Sequence, residues 1–416
     1  MRVLYFHQYF CTPAGNSGIR SYGMAKQLVE NGHRVTMVFA ESPRLKSPLD
    51  IVPYVKGMRR GQFEGIDLIE FNIKYNNKLS LFKRALVFIR FSISSIRLVF
   101  TEEFDIVYAT TTPLTAGIPG IIMKFFGKKK PFVFEVRDLW PELPKAMGVI
   151  KNKVVLWAMG VLEYYSYNKA DACVALSPGI AKGIKERLKK DKPIYLIPNG
   201  CDLQIFKPGK QPKTIIPGVE EGDFVAVFTG AHGMANGLNA ALNAAEYLQT
   251  KTDYQNIKLV FIGDGALKPK LVQMAETKGL KNCLFLSPVP KLALANYLQA
   301  ADVGLMLLAN IPAFYYGTSP NKFFDYIAMG MPILNNYPGW LAEIINENEL
   351  GIAVAPDDAA AFANALITLN NDPERVNQMG INARAFAEKN FDRTRLANEL
   401  TDALVTTLET YKAANK

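Results

Sequence analysis

The feature that most limits what this chain can fold into is an alternation that runs, breaks and starts again. "RVLYFH" (2–7) reads as a strand, "IRSYGMAKQLVENG" (19–32) as a helix closed by glycine, and "RVTMVFA" (34–40) as a second strand. "FDIVYAT" (104–110), "PFVFEVRD" (131–138), "ADACVALS" (170–177) and "KPIYLIPNG" (192–200) continue the series. Strands so uniformly apolar, separated by helices, belong to parallel sheets covered on both faces. Residues 207–223, "KPGKQPKTIIPGVEEGD", then concentrate Lys, Pro and Gly as a linker does. After them "FVAVFTG" (224–230), "IKLVFIGDG" (257–265), "NCLFLSPV" (282–289), "DVGLMLL" (302–308) and "MPILNN" (331–336) repeat the pattern. At 416 residues the chain exceeds one ordinary core, and two doubly wound α/β domains in tandem account for both runs. The expected boundaries are a first domain over 1–206, a linker over 207–222, a second domain over 223–390 and a terminal helix over 391–416.

Charge separates the halves. Residues 1–200 hold 30 Lys and Arg against 16 Asp and Glu, and the remainder holds 18 against 22. A half this basic calls for an anionic partner: nucleic acid, an anionic membrane surface or a phosphorylated substrate. Within it, "NKLSLFKRALVFIRFSISSIRLVF" (77–100) is helix-length and apolar but interrupted by Lys83, Arg84, Arg90 and Arg97. Crossing a bilayer takes about 20 consecutive apolar residues. The segment is therefore either a core helix or an amphipathic one lying in a membrane interface through Phe82, Phe88, Phe91 and Phe100. "KKK" (128–130) adds to the same charge. Nucleic acid fits worst, because the basic residues interleave with apolar helix and form no recognised binding module. Cys11, Cys173, Cys201 and Cys283 are scattered, as are His7, His33 and His232, which suits a reducing compartment and offers no zinc spacing. The sequence begins in a strand without the head, apolar run and cleavage site of a signal peptide, so a cytoplasmic setting is expected.

In open α/β sheets, ligands bind outside the carboxyl ends of strands, where loops enter helices. After the first strand, "CTPAGNSGIR" (11–20) places Gly15 and Gly18 before a helix, where free N–H groups favour an anion. It matches neither a dinucleotide fingerprint nor a P-loop. "VRDLWPE" sets Arg137 and Asp138 at a strand end, and "IGDG" sets Gly263 and Asp264 at another. The sharpest stretch is "GTSPNKFFDYIAMGMPIL" (317–334), a mostly apolar helix with Ser319 expected as N-cap, Pro320 in the first turn, and Gly330 and Pro332 as the stop. Asn321 and Lys322 open that helix, and Asp325 follows one turn deeper on the same face. Helix dipole, free amides and an ammonium converge on one point that suits a diphosphate. A carboxylate one turn in suits the vicinal hydroxyls of a ribose. The plainer alternative is an intrahelical Lys–Asp pair worth a few tenths of a kcal/mol.

At this point the chain resembles glycosyltransferase family 4, retaining enzymes of the GT-B fold, over essentially its full length. "IPNGCDLQIFKP" (197–208) is similar to the family's Pro-Asn-Gly-x-Asp-x-x-x-Phe segment, and "FIGDG", "LQAADVGLMLL" and "SPNKFFDYIAMGMPIL" follow in the family's order. The resemblance implies two tandem Rossmann-like domains with a cleft between them, and a metal-independent hexosyl transfer with no cofactor beyond a nucleotide-sugar substrate, UDP-linked. "VRDLWPE" and the basic stretch are most similar to the branch containing N-acetyl-L-fucosamine transferases of O-antigen assembly. That branch implies a polyprenyl-diphosphate-linked acceptor at the inner face of the cytoplasmic membrane. Carried over by position, Asp325 matches the second acid of the family's E-x₇-E motif and would bind ribose. Gly317 stands where the first acid belongs, so the usual contacts to the donor sugar are altered. His232 and Asn236 occupy about the places of the family's diphosphate-gripping Arg and Lys, and Lys322 would replace the lost charge. Gly18, Gly263, Asp264, Val289, Ser319 and Asn321 complete the expected donor contacts, while Arg20, Arg137 and Asp138 are expected on the acceptor. Many members carry His where Arg137 stands, and no Asp-x-Asp sits at a strand end to suggest a metal. Asp138, Arg137 and Lys322 are the expected catalytic residues. A nucleotide-sugar 2-epimerase would need more acids or histidines at the strand ends, and a non-catalytic membrane scaffold would leave Lys322 with Asp325 unexplained.

Overall fold

The computed structural model describes all residues except 16–17, 42–46, 76–78 and 416. The first sheet is built from β1 (Arg2–Phe6), β2 (Arg34–Ala40), β3 (Met58–Phe63), β4 (Ile66–Phe71), β5 (Ile106–Thr110), β6 (Phe132–Val136), β7 (Ala172–Ala175) and β8 (Ile194–Leu196). Their order is β3-β4-β2-β1-β5-β6-β7-β8, parallel throughout except between β3 and β4. The second sheet holds β9 (Phe224–Thr229), β10 (Ile257–Ile262), β11 (Cys283–Leu286), β12 (Val303–Met306), β13 (Ile333–Asn335) and β14 (Gly351–Ala353). It is wholly parallel, in the order β11-β10-β9-β12-β13-β14. Both strand runs found in the sequence are present, each with its own apolar core.

The antiparallel β3–β4 hairpin has no counterpart in the sequence reading. Its two-residue loop is Glu64 and Gly65, with φ of 46° and 81°, the paired left-handed residues of a type I′ turn. That dipeptide is the signal that sequence reading passed over.

Strand order fixes where ligands can bind. From β1 the chain moves outward to β2 and β4, then returns to place β5 on the opposite side of β1; β9 does the same with β10, β11 and β12. The crevices beyond the carboxyl ends of β1/β5 and of β9/β12 are the topological switch points.

The expected boundaries need two corrections. The chain divides into Met1–Pro198 with Gly317–Ser319 and Arg393–Lys416, and Asn199–Tyr316 with Pro320–Asp392. Residues 199–206 therefore belong to the second unit, where Asp202 pairs with Lys291 and Phe206 is fully buried. Nor is 207–222 a free tether. Gln211 donates its amide to the Gln299 carbonyl at 3.3 Å, Lys213 pairs with Asp302 at 2.6 Å, and Ile216 and Val219 are buried. These contacts strap the segment onto the second unit. The Arg393–Ala414 helix packs on the Arg20–Glu30 helix of the first unit, burying Leu396, Leu400 and Leu404.

Candidate functional site

At the β9/β12 switch point the decisive element is the Asn321–Met329 helix. Tyr326 locks it to the sheet: its hydroxyl accepts from the Thr229 amide at 3.0 Å and donates to the Val227 carbonyl at 3.2 Å. The Tyr326 ring lies so close over Gly304 that a Cβ there would approach it to 2.5 Å. Gly330, at φ 68°, ends the helix in the left-handed conformation that glycine adopts most readily. The start differs by one residue from expectation. Pro320 keeps an extended ψ of 128°, so helical backbone begins at Asn321, and Ser319 lies outside the N-cap position.

Lys322 carries its ammonium over the Phe228 ring, 3.9 Å from the centroid and 2.8 Å from Asn236 Oδ1. Its Cε would lie 3.6 Å from a Cβ at Gly230, so the charge sits at the end of β9. Among the described residues no carboxylate pairs with it, and burial pulls its pKa down to about 7. The intrahelical pair with Asp325 does not form. Asp325 is buried and meets Lys291 at 3.5 Å instead. Lys291, at the start of the Lys291–Gln299 helix, also pairs with Asp202 and lies over the Phe206 ring at 5.1 Å. Sequence reading gave neither Lys291 nor Asp202 a role, although Asp202 is the acid of the "NGCD" segment.

His232, expected among the donor contacts, lies inside the second unit's core. It is fully buried, with ring centroids of Phe228, Phe261 and Phe285 at 6.1, 6.5 and 6.1 Å, and neither ring nitrogen has a hydrogen-bond partner among the described residues. Burial holds its pKa near 4, so the ring is neutral at pH 7. Asn236 holds Lys322 through its oxygen while its amide donates to the Ala231 carbonyl at 2.7 Å. Gly263 is obligatory: at φ 154°, a Cβ would fall 1.9 Å from the Gly230 carbonyl oxygen. Asp264 is exposed just past β10, its carbonyl accepting from the His232 amide at 3.0 Å. Val289 lies half-buried beyond β11, two strands away from β9, and Asn321 is exposed at the first helical position. Of the expected donor contacts, Lys322, Asn236 and the Gly230–Gly263 backbone converge; Asp325 joins a neighbouring ion cluster.

In the first unit the β1/β5 switch point is organised by Glu135, an acid inside an otherwise apolar strand. It accepts from Arg20 Nε and Nη2 at 3.1 and 2.8 Å, Tyr108 at 2.6 Å, Thr110 at 2.6 Å and Arg137 Nε at 3.1 Å. The two guanidinium groups hold its carboxyl well below the usual range despite complete burial. Arg20, expected on the acceptor, is 1% exposed and spends its remaining donors on the Ile197 and Pro198 carbonyls. Its place is structural. Arg137 stays half-buried, with Nη2 on Ser21 at 2.7 Å, and burial raises Asp138 to a pKa of about 6. Beside them, His7 Nδ1 and both polar atoms of the Gln8 side chain are buried and find no partner among the described residues. Neither was singled out, though they interrupt an apolar run just at the end of β1. Gly18 precedes Ile19, the N-cap of the Arg20–Glu30 helix; residues 16–17 of that loop lie outside the described residues.

The 77–100 segment forms the Leu81–Ile96 helix, which buries Phe91 fully and exposes Leu81, Phe82, Leu86, Ile89 and Ile93. Residues 77–78 fall outside the described set. Phe88 turns inward to stack on Tyr75 at 5.8 Å, and Arg84 folds back onto the Leu79 carbonyl, leaving Lys83, Arg90 and Arg97 exposed. Among the described residues no helix is long and apolar enough to cross a membrane, and no group of three or more His, Cys, Asp or Glu could hold a metal ion.

Two family models divide the chain between them: glycosyltransferase family 4 over residues 18–205, and glycosyl transferases group 1 over residues 211–386. Each half of the chain thus matches a glycosyltransferase domain, and the tandem parallel-sheet fold is that of the GT-B type. Among curated relatives, the D-inositol 3-phosphate glycosyltransferase of Nocardia farcinica is 26% identical over 53% of this chain and 49% of its own length. The O-antigen chain mannosyltransferase C of Escherichia coli is 22% identical over 63% of this chain and 67% of its own. The chain thus spans about half the length of the first of these relatives. Among solved GT-B structures, sucrose-phosphate synthase of Thermosynechococcus elongatus aligns over 98% of this chain and 99% of its own with a TM-score of 0.77 at 16% identity. Anabaena HepE in complex with UDP-glucose aligns over 98% and 100% with a TM-score of 0.71 at 16% identity. At such identities these two structures speak for the fold alone.

Proposed function

We propose that this GT-B glycosyltransferase moves a sugar from a UDP-linked donor to a polyprenyl-diphosphate-linked acceptor at an anionic membrane surface, with retention of anomeric configuration. Lys322 carries the reading: an ammonium with no carboxylate partner among the described residues, at a helix start, beside a glycine backbone, at a switch point. Breaking the bond between the anomeric carbon and the diphosphate oxygen places positive charge on the sugar ring and negative charge on the departing UDP. Lys322 and the first-turn amide dipoles of its helix stabilise that charge. Front-face attack lets the acceptor oxygen bond to the anomeric carbon while the leaving phosphate takes its proton, so no protein nucleophile is required. Asp325, positioned by Lys291, takes the ribose hydroxyls. Arg137 and Asp138 serve the acceptor in the first unit, and Asp138, ionised above pH 6, orients the attacking hydroxyl. A donor carrying an N-acetylated amino sugar, such as N-acetyl-fucosamine, is the reading for the transferred group, and the Leu81–Ile96 helix is the membrane contact. The O-antigen relative favours a surface-polysaccharide setting, and a neighbour of the same fold is solved with UDP-glucose. Screening donor hydrolysis over a panel of UDP- and GDP-sugars tests it: turnover of UDP-sugars is expected, and turnover confined to GDP-sugars overturns the choice of nucleotide.

A further inference from the structure

Three neighbouring helices cover one side of the first sheet: Leu81–Ile96, Ile118–Phe126 and Lys153–Lys169, the middle one packed against both others. Each meets the core through one side, where Phe91, Met123 and Tyr167 are fully buried. Each also turns large apolar side chains outward. Trp157 is 70% exposed, Val154 71%, Phe126 76% and Ile93 63%. Exposure here is not fraying, for Asn152 caps the Lys153–Lys169 helix by accepting from the Val154 and Val155 amides at 2.9 and 3.2 Å. Between that helix and Ile118–Phe126 runs an apolar groove of about 480 Å³, lined among others by Ile122, Phe125, Phe126, Ala158, Val161 and Tyr165.

A contiguous apolar face of this kind marks an interaction site, and charge selects its occupant. Residues 81–100, 118–130 and 151–169 together hold eleven Lys and Arg and a single acid, Glu163. That acid is buried and paired with Arg187 at 3.2 Å, so the outer face carries one sign of charge. An anionic bilayer offers acyl chains for the apolar residues and, just above them, phosphates for Lys151, Lys153 and Lys128–Lys130. A tryptophan on such a face suits the headgroup boundary.

We infer that the Lys153–Lys169 helix and the groove beside it seat on an anionic bilayer, with Trp157 and Val161 entering the acyl boundary and the Leu81–Ile96 helix in the same interface. The inference takes its membrane partner from the proposed function and widens it from one helix to a three-helix face; it does not depend on nucleotide binding.

Full-length protein with vesicles of phosphatidylglycerol and phosphatidylcholine, against phosphatidylcholine alone, provides the test. Trp140 is half-buried and Trp340 buried, so Trp157 dominates any change in tryptophan emission. Brominated acyl chains should quench and blue-shift that emission with anionic vesicles. Trp157→Glu with Val161→Asp should weaken vesicle affinity at least tenfold, while circular dichroism and vesicle-free UDP affinity stay unchanged. Wild-type vesicle binding by that variant, absence of quenching, or equal binding to phosphatidylcholine alone overturns the inference. So does sedimentation as a dimer in which Trp157 is shielded, which assigns the face to a second copy. Loss of UDP binding measured without vesicles would sink the catalytic reading and leave the vesicle result standing.

Discussion

At the carboxyl end of the first sheet, Glu135 is surrounded by two guanidinium groups and two hydroxyls. At the corresponding end of the second, Lys322 has the amide oxygen of Asn236 and the face of Phe228. The two burials serve different ends. A buried acid that finds both charge partners and hydrogen bonds ties β6 to the Arg20–Glu30 helix and to the chain after β8. A half-buried ammonium with no counter-charge among the described residues is costly to the fold and is relieved by a ligand that brings the charge along. Charged groups at strand ends are therefore informative about function chiefly where the protein itself leaves them unmatched.

The largest effect that can break this contrast is on stability. Arg20→Leu leaves Glu135 with one guanidinium in a dry site, and the loss should be about 3–5 kcal/mol in urea unfolding. A loss below about 1 kcal/mol would mean that the cluster is no more than a surface-like pair. Lys322→Met should behave oppositely. Transfer should fall by about 100-fold or more, as when a transition-state donor is removed, while the unfolding midpoint stays constant or rises. A lowered midpoint with unimpaired transfer would reverse the assignment of the two sites.

Acidity sharpens the same contrast. Diphosphate binds the ammonium form, and with a pKa of about 7 in the free protein that form is lost as pH rises. UDP affinity should fall between pH 6 and 8.5, approaching about tenfold per unit above neutrality. Calorimetry in two buffers of different ionisation enthalpy should register proton uptake on binding; a flat profile assigns the phosphate to other groups. The smallest effect belongs to His232. Replacing its unpartnered imidazole with Phe among three aromatic rings should leave UDP affinity unchanged and shift stability by no more than about 1 kcal/mol. A tenfold loss of affinity would show that the ring faces the ligand.

The two-sheet architecture was legible because apolar runs of fixed length repeat whatever their neighbours do. The Glu64–Gly65 hairpin was missed because its strands, "MRRGQF" and "IDLIEF", carry charge at positions that periodicity treats as loop. Lys322 was legible from its place at a helix start. What escaped was pairing: that Asp325 would turn to Lys291 and not to Lys322, and that His232 would sink among aromatic rings. Those outcomes depend on which helices become neighbours, and spacing along one helix carries no record of that. Glu135 stood in plain view as an acid within "PFVFEV", a pattern that in a buried strand already demands a cationic partner.

The Arg393–Ala414 helix has a consequence for biosynthesis. Asn31 is bonded to Asn398, 367 positions further along the chain, so the surface that the earliest translated helix must bury stays bare while the whole nucleotide-proposed half is being made. The portion of the chain that leaves the ribosome first is the one that matures last, and a nascent protein interrupted before residue 393 would carry an unfinished, sticky flank.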